Sequence, residues 1–294
     1  MKPETERIAA ALTSLTEDLY YSLVGDEPYV VVVWDSEEKG EWTLLNFLRD
    51  RQALTLFEPE AFLNQIRQIQ TQAVSQQYQA LVKLLQENVS ELRIYGYGFP
   101  KLPEDLFGGE LPIAEEERDR LGVPLLIGEL VTGEWIGLAP KQERGADSSL
   151  KLGLANRESI ALVEQVQSLT GAIAHQMKSR SWRLSESWVV VATGDRHSVI
   201  ERLLVAAKFL SIDEINTFFR SVEAELEEFE EGEELPEDLQ KSIALRDYFQ
   251  SQLQQSQTYN LDYIIGGERF SVHYLLGKTS TGDWAGVVTD SFTF

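Results

Sequence analysis

The chain has 294 residues, enough for two domains of roughly 140 residues, each with its own core. Its 43% hydrophobic and 10% aromatic content is that of an ordinary globular protein, and the absence of cysteine excludes disulfides, thiol nucleophiles and thiolate metal sites. Acidic side chains outnumber basic ones 48 to 26, giving a net charge of −22, a field that repels nucleic acid and anionic membranes and favours basic protein partners.

The opening Met-Lys-Pro-Glu-Thr-Glu carries no secretory apolar region, and no apolar run approaches membrane-spanning length, so a cytoplasmic location is expected. Ile8, Leu12, Leu15, Leu19 and Leu23 recur at spacings of three and four, which predicts an amphipathic helix. The turn Gly25-Asp26-Glu27-Pro28 ends it, and the short β-branched run 29–34 reads as a strand. Glu58-Pro59-Glu60 starts a second helix, with proline where its missing N–H is harmless. Tyr78, Leu81, Val82, Leu85 and Val89 mark a third, and a strand follows over 92–97. An insert rich in Pro, Gly and Glu occupies 99–122 and is expected as a surface loop. A hairpin over 123–140 then turns at Thr132-Gly133, where glycine takes the positive φ of a tight turn.

The same order returns after a polar, glycine-bearing stretch, 142–156, which reads as a linker between domains 1–141 and 157–294. Val163, Val166, Leu169, Ile173 and Met177 make an opening helix, and 188–191 a strand. Ser211 and Glu214 have capping-box spacing for a helix running to Phe219. Leu245, Tyr248, Phe249 and Leu253 form the next helix, followed by a strand over 261–265. In the last hairpin, Gly277, Thr281, Gly282, Trp284 and Gly286 align with Gly128, Thr132, Gly133, Trp135 and Gly137. Each Trp and the glycine two residues on share one strand face, the glycine leaving room for a neighbouring ring or backbone. The chain therefore reads as two copies of one unit.

Catalytic chemistry is sparse. His175, His197 and His273 are far apart and none has metal-site spacing; no phosphate-cradling loop and no nucleophile elbow is present. The expectation is a non-enzyme without cofactor or metal. The tract 223–238, with ten Asp or Glu in sixteen positions, reads first as a solvated helix extension or loop and second as an electrostatic surface for a basic partner.

The acid-Pro turn leading into the Val-rich strand that ends in Trp34, the Ile-x-x-Phe-Phe segment 215–219, the Tyr263 strand and the Gly-Lys-Thr-Ser-Thr-Gly-Asp-Trp-Ala-Gly hairpin 277–286 resemble the nuclease A inhibitor family. Its members, known from cyanobacteria, bind a magnesium-dependent, sugar-non-specific nuclease. The resemblance implies an α+β fold, a tandem of two α–β–α sandwiches with antiparallel sheets, and a protein partner rather than nucleic acid or membrane. It implies a contact carboxylate in the turn after the first helix and a C-terminal threonine that reaches the nuclease's metal. Here Val24 stands where the carboxylate is expected, with Asp26 and Glu27 close by, and Phe294 follows Thr293. Candidate contact residues are accordingly Asp26, Glu27, Ser291, Phe292, Thr293 and Phe294. The alternative function is an interaction or assembly factor that keeps the fold and holds another protein through the insert or the acidic tract.

Overall fold

A computed structural model describes residues 1–21, 27–101, 122–142, 157–176, 184–230, 233–265 and 268–293. The first helix, α1 (Pro3–Thr16), starts on a proline, carries Glu4 and Glu6 in its first turn and buries Ile8 and Leu12. It is shorter than the leucine spacing suggests. The Thr16 hydroxyl bonds back to the Leu12 carbonyl, Asp18 takes a positive φ, and Leu19 is buried beyond the helix end. The short strands β1 (Tyr20–Tyr21) and β2 (Glu27–Pro28) pair antiparallel, and β3 (Val30–Trp34) follows.

Two helices come next, α2 (Ser36–Lys39), capped by Asp35, and α3 (Leu44–Asp50), capped by Thr43. Then come β4 (Leu54–Phe57), α4 (Pro59–Ile69), α5 (Gln72–Asn88), β5 (Val89–Tyr97), β6 (Val123–Leu130) and β7 (Trp135–Gln142). Beyond residue 156 the order is α6 (Arg157–Gln176), β8 (Leu184–Thr193), α7 (Arg196–Ala206), β9 (Leu210–Glu214), α8 (Ile215–Phe218), α9 (Arg220–Leu226), α10 (Glu237–Gln252), β10 (Gln254–Ile265), β11 (Glu268–Lys278) and β12 (Trp284–Thr293). Ser211 does not cap a helix. It lies in β9, and α8 starts only at Ile215 with Glu214 at its N-cap, because residues 210–214 are held as a sheet edge against β10. The insert beyond Lys101 and residues 143–156 lie outside the described residues.

The strands form two five-stranded antiparallel sheets, β4-β5-β6-β7-β8 (sheet I) and β3-β12-β11-β10-β9 (sheet II). The fold is thus α+β, with helices packed against antiparallel sheets. Each sheet takes strands from both sides of 142–156. The opening strand of the first half, β3, pairs with β12, and the opening strand of the second half, β8, pairs with β7. The opening helices follow their strands: α1 packs on β12 and α10, and α6 packs on α5. The chain passes from sheet II to sheet I through α3 and returns through α7.

These two crossing helices end alike. After α3 the Gln52 N–H bonds to Arg49 O and the Ala53 N–H to Leu48 O; after α7 the Lys208 N–H bonds to Val205 O and the Phe209 N–H to Leu204 O. Gln52 and Lys208 both have positive φ, so each end is a Schellman turn built on a residue other than glycine.

The registers of the two sheets match as well. Leu54 opposes Tyr97, which opposes Val123; Leu210 opposes Leu261, which opposes Val272. Gly137 lies opposite Val191, and Gly286 opposite Val32. With side chains alternating between faces, the inner faces enclose a shared core with α3 and α7, in which Phe47 meets Tyr274 edge to face at 5.0 Å and Tyr97 stacks on Tyr263 at 5.2 Å. The outer face of sheet I buries Leu126, Ile136 and Leu138 against α4, α5 and α6. That of sheet II buries Leu275, Ala285 and Val287 against α1 and α10. The result is five layers, α–β–α–β–α.

Candidate functional site

At one end of sheet II the outer face turns from apolar to polar. The register sets Ser211 of β9, Asn260 of β10, His273 of β11 and Thr289 of β12 in one row across the sheet. Asn260 Nδ2 donates to Asp213 Oδ2 at 2.8 Å and to Ser211 Oγ at 3.1 Å, which leaves its oxygen 2.7 Å from His273 Nδ1. That fixes the imidazole: Nδ1 carries the proton, and Nε2 accepts from the Ser291 hydroxyl at 2.8 Å. One row further on, Ser271 donates to Asp262 at 2.7 Å. The network runs across these four strands; Asp262, Ser271 and Ser291 are buried, and Ser211, Asp213, Asn260 and His273 are half-buried.

Tyr21, in β1 after α1, lies over this end. The Tyr21 ring lies 5.3 Å from the His273 ring and stacks on Phe218 at 5.2 Å. Burial pushes the Tyr21 phenol up to about 12. Tyr21 pairs with Glu27 across β1 and β2, and β2 packs beside β12. On the inner face Asp290 is buried with both carboxylate oxygens unbonded. Loss of solvent and then the charge of Glu27 raise its carboxyl from 3.8 to about 7.

Glu27 and Ser291 are therefore brought to the same end of sheet II, although one belongs to the first half of the chain and the other to the last strand. Phe292 and Thr293 continue β12 opposite Phe270 and Arg269; Asp26, Val24 and Phe294 lie outside the described residues. Asn260 and Asp290 were not singled out from the sequence, and His273 was set aside there as a lone histidine without metal-site spacing. Their signal was present: polar residues alternate along otherwise apolar strands, as in Asn260 and Asp262, Ser271 and His273, Thr289 and Ser291. His197, by contrast, is exposed in the first turn of α7.

The fold itself does not require this network. At the matching row of sheet I stand Thr55, Gly96 and Pro124, which carry no comparable hydrogen-bonding chain. Among the described residues no three His, Asp or Glu side chains converge as a metal centre would, and no described helix is long and apolar enough to cross a membrane. No curated protein matches the chain. Residues 192–292, which begin at the end of β8 and span everything that sheet II takes from the second half, match the family model described as nuclease A inhibitor-like protein.

Proposed function

We propose that this is a cytoplasmic, non-catalytic protein-binding protein made of two copies of a nuclease-inhibitor-like unit that have exchanged their opening helix and strand. It masks a protein partner, a magnesium-dependent non-specific nuclease, through the end of sheet II where Glu27, Asp290 and Ser291 converge. The observation that carries this reading is the composite character of that end. The family match covers 192–292, and α1 through β3 supply the helix, turn and strand that such a unit needs before it. The matched registers of the two sheets support the duplication. The net charge of −22 favours encounter with a basic surface.

The test is a titration of the protein into such a nuclease while DNA degradation is followed. Saturable inhibition near an equimolar ratio is expected, weakened about tenfold or more by Ser291→Ala and by Glu27→Gln. An absence of inhibition at large excess would remove the nuclease as partner.

A further inference from the structure

The opposite end of sheet II, where β11 turns into β12, carries an open cleft of about 670 Å³. Trp284 and Ser291 are seven residues apart on β12, so at about 3.3 Å per residue the cleft lies on the order of 20 Å from the polar network. Three aromatic rings line it: Trp42 from the loop between α2 and α3, Tyr259 from β10 and Trp284 from β12. Trp42 stacks on Trp284 with centroids 4.2 Å apart and planes at 21°, and it meets Tyr259 at 5.4 Å and 57°. Trp284 is nearly buried, whereas Trp42 is only partly covered. This stack is not needed to close such a hairpin. Trp135 holds the same register position in sheet I and has no ring stacked on it among the described residues.

The polar part of the lining is mixed. Among the described residues the carboxylates of Glu41 and Glu201 and the ammonium of Lys278 make no hydrogen bond or ion pair with another side chain; the Glu41 backbone carbonyl accepts from Asn46 Nδ2 at 3.1 Å. The Tyr259 hydroxyl donates to Gln257 Oε1 at 3.0 Å, which leaves that amide's NH2 group for the cleft. Gln255 is held at φ 52° where a bulge interrupts β10, a left-handed conformation that a glutamine adopts at a cost. Partial burial raises the Glu201 carboxyl, against the pull of Arg202, although the residue keeps an exposed face.

Such a lining suits a ligand with an apolar face and a rim of hydroxyls. Two carboxylates against one ammonium disfavour an anion, and the ammonium of Lys278 disfavours a cation. Carboxylates that accept, and an amide and ammonium that donate, match hydroxyl groups, which do both. A tryptophan ring offers the flat apolar surface on which the C–H face of a pyranose rests. We propose that this cleft binds a neutral saccharide, with one pyranose ring against Trp42 and its hydroxyls held between Glu41 and Glu201 on one side and Gln257 and Lys278 on the other.

The proposal is independent of the partner-binding reading and is tested on the full-length protein by tryptophan fluorescence and saturation-transfer NMR. The probes are glucose, mannose, N-acetylglucosamine and their β-1,4-linked tetramers, titrated to tens of millimolar. Saturable binding of at least one sugar is expected, weakened about tenfold by Glu201→Gln and abolished by Trp42→Ala. Glu201 is exposed enough for its replacement to leave the thermal midpoint unchanged, so the Glu201→Gln result stands even if Trp42→Ala destabilises the fold. No saturation with any sugar, undiminished binding in Glu201→Gln, or saturation by arginine amide in place of the sugars would each overturn it.

Discussion

Thr5 donates its hydroxyl to Asp283 Oδ2 over 2.6 Å, tying the first helix of the chain to its last hairpin. Both side chains are fully buried. The Ser36 N–H reaches the other carboxylate oxygen at 3.0 Å, and Lys2 Nζ lies 3.5 Å away. Burial opposes ionisation of Asp283, but the Thr5 and Ser36 hydrogen bonds and the Lys2 charge outweigh it and hold the carboxyl below its usual range. The contact exists because α1 and β3 pack on sheet II rather than on the sheet of their own half.

Thr5→Val keeps the shape and removes the donor, leaving a buried carboxylate short of one partner. A loss on the order of 1.5–3 kcal/mol is expected at neutral pH, read from urea unfolding. The sign with pH follows from the depressed carboxyl: its contribution is present above the unfolded-state value and fades as pH falls through the folded-state value. The gap between Thr5→Val and the parent should therefore narrow in acid. A gap of constant size across that range would mean that Asp283 is not the partner that matters.

That each sheet takes strands from both sides of 143–156 has a consequence that needs no ligand. If a protease site is placed within 143–156 and cut, the two fragments share two sheets and a common core, so they should stay together on gel filtration and melt as one body. Two independent tandem domains would separate into two folded halves, and that elution would refute the exchange. The fragments expressed alone, each lacking one sheet's opening strand and facing helix, are expected to be insoluble or unfolded, and mixing them should restore the parent profile.

Much of this architecture was legible in the chain, and what was not has a physical cause. Helices α5, α6 and α10 announced themselves through apolar spacing, and the hairpins through Thr-Gly turns, because those signals are local. The pairing of β3 with β12 and of β8 with β7 was not readable, since β3 and β8 carry similar Val-rich runs that suit a place beside Gly137 or Gly286 alike. Helices α3 and α7, which carry the chain from one sheet to the other, pack in the core that both sheets share. The same holds for the site. Glu27 and Ser291 were identifiable from family resemblance, but the bond from His273 to Ser291 depends on cross-strand register, which a sequence with no partner strand in view does not express.

Matched register does not mean matched tolerance. A Cβ at Gly137 would meet the side chains of Val199, Leu203 and Val191 at 3.0–3.2 Å, and side chains can turn aside. At Gly286 it would fall on the Leu275 carbonyl oxygen of the paired strand, and backbone in the middle of a ladder has nowhere to go. Gly286→Ala is therefore expected to cost more than Gly137→Ala, which should stay within the roughly 1–3 kcal/mol of an overpacked core. Thermal melts of the two single variants decide it, and equal losses would contradict the close approach at Leu275.

Asp290 supplies the clearest pH signature. Its carboxyl is raised to about 7 by burial and by Glu27, whereas the unfolded chain releases the same proton near the ordinary 3.8. Below that lower value both states are protonated and nothing is lost. As pH rises toward about 7 the unfolded state sheds its proton first, so the folded state is progressively disfavoured, and above about 7 the penalty is constant. Asn cannot ionise and resembles the protonated acid in shape. Asp290→Asn should therefore melt with the parent near pH 4 and above it at pH 8, by on the order of several degrees, with the difference opening between the two. Glu27→Gln removes the neighbouring charge and should shift the same profile to lower pH. A parent and Asp290→Asn that keep a fixed separation at every pH would show that the carboxyl ionises normally and that Glu27 does not face it.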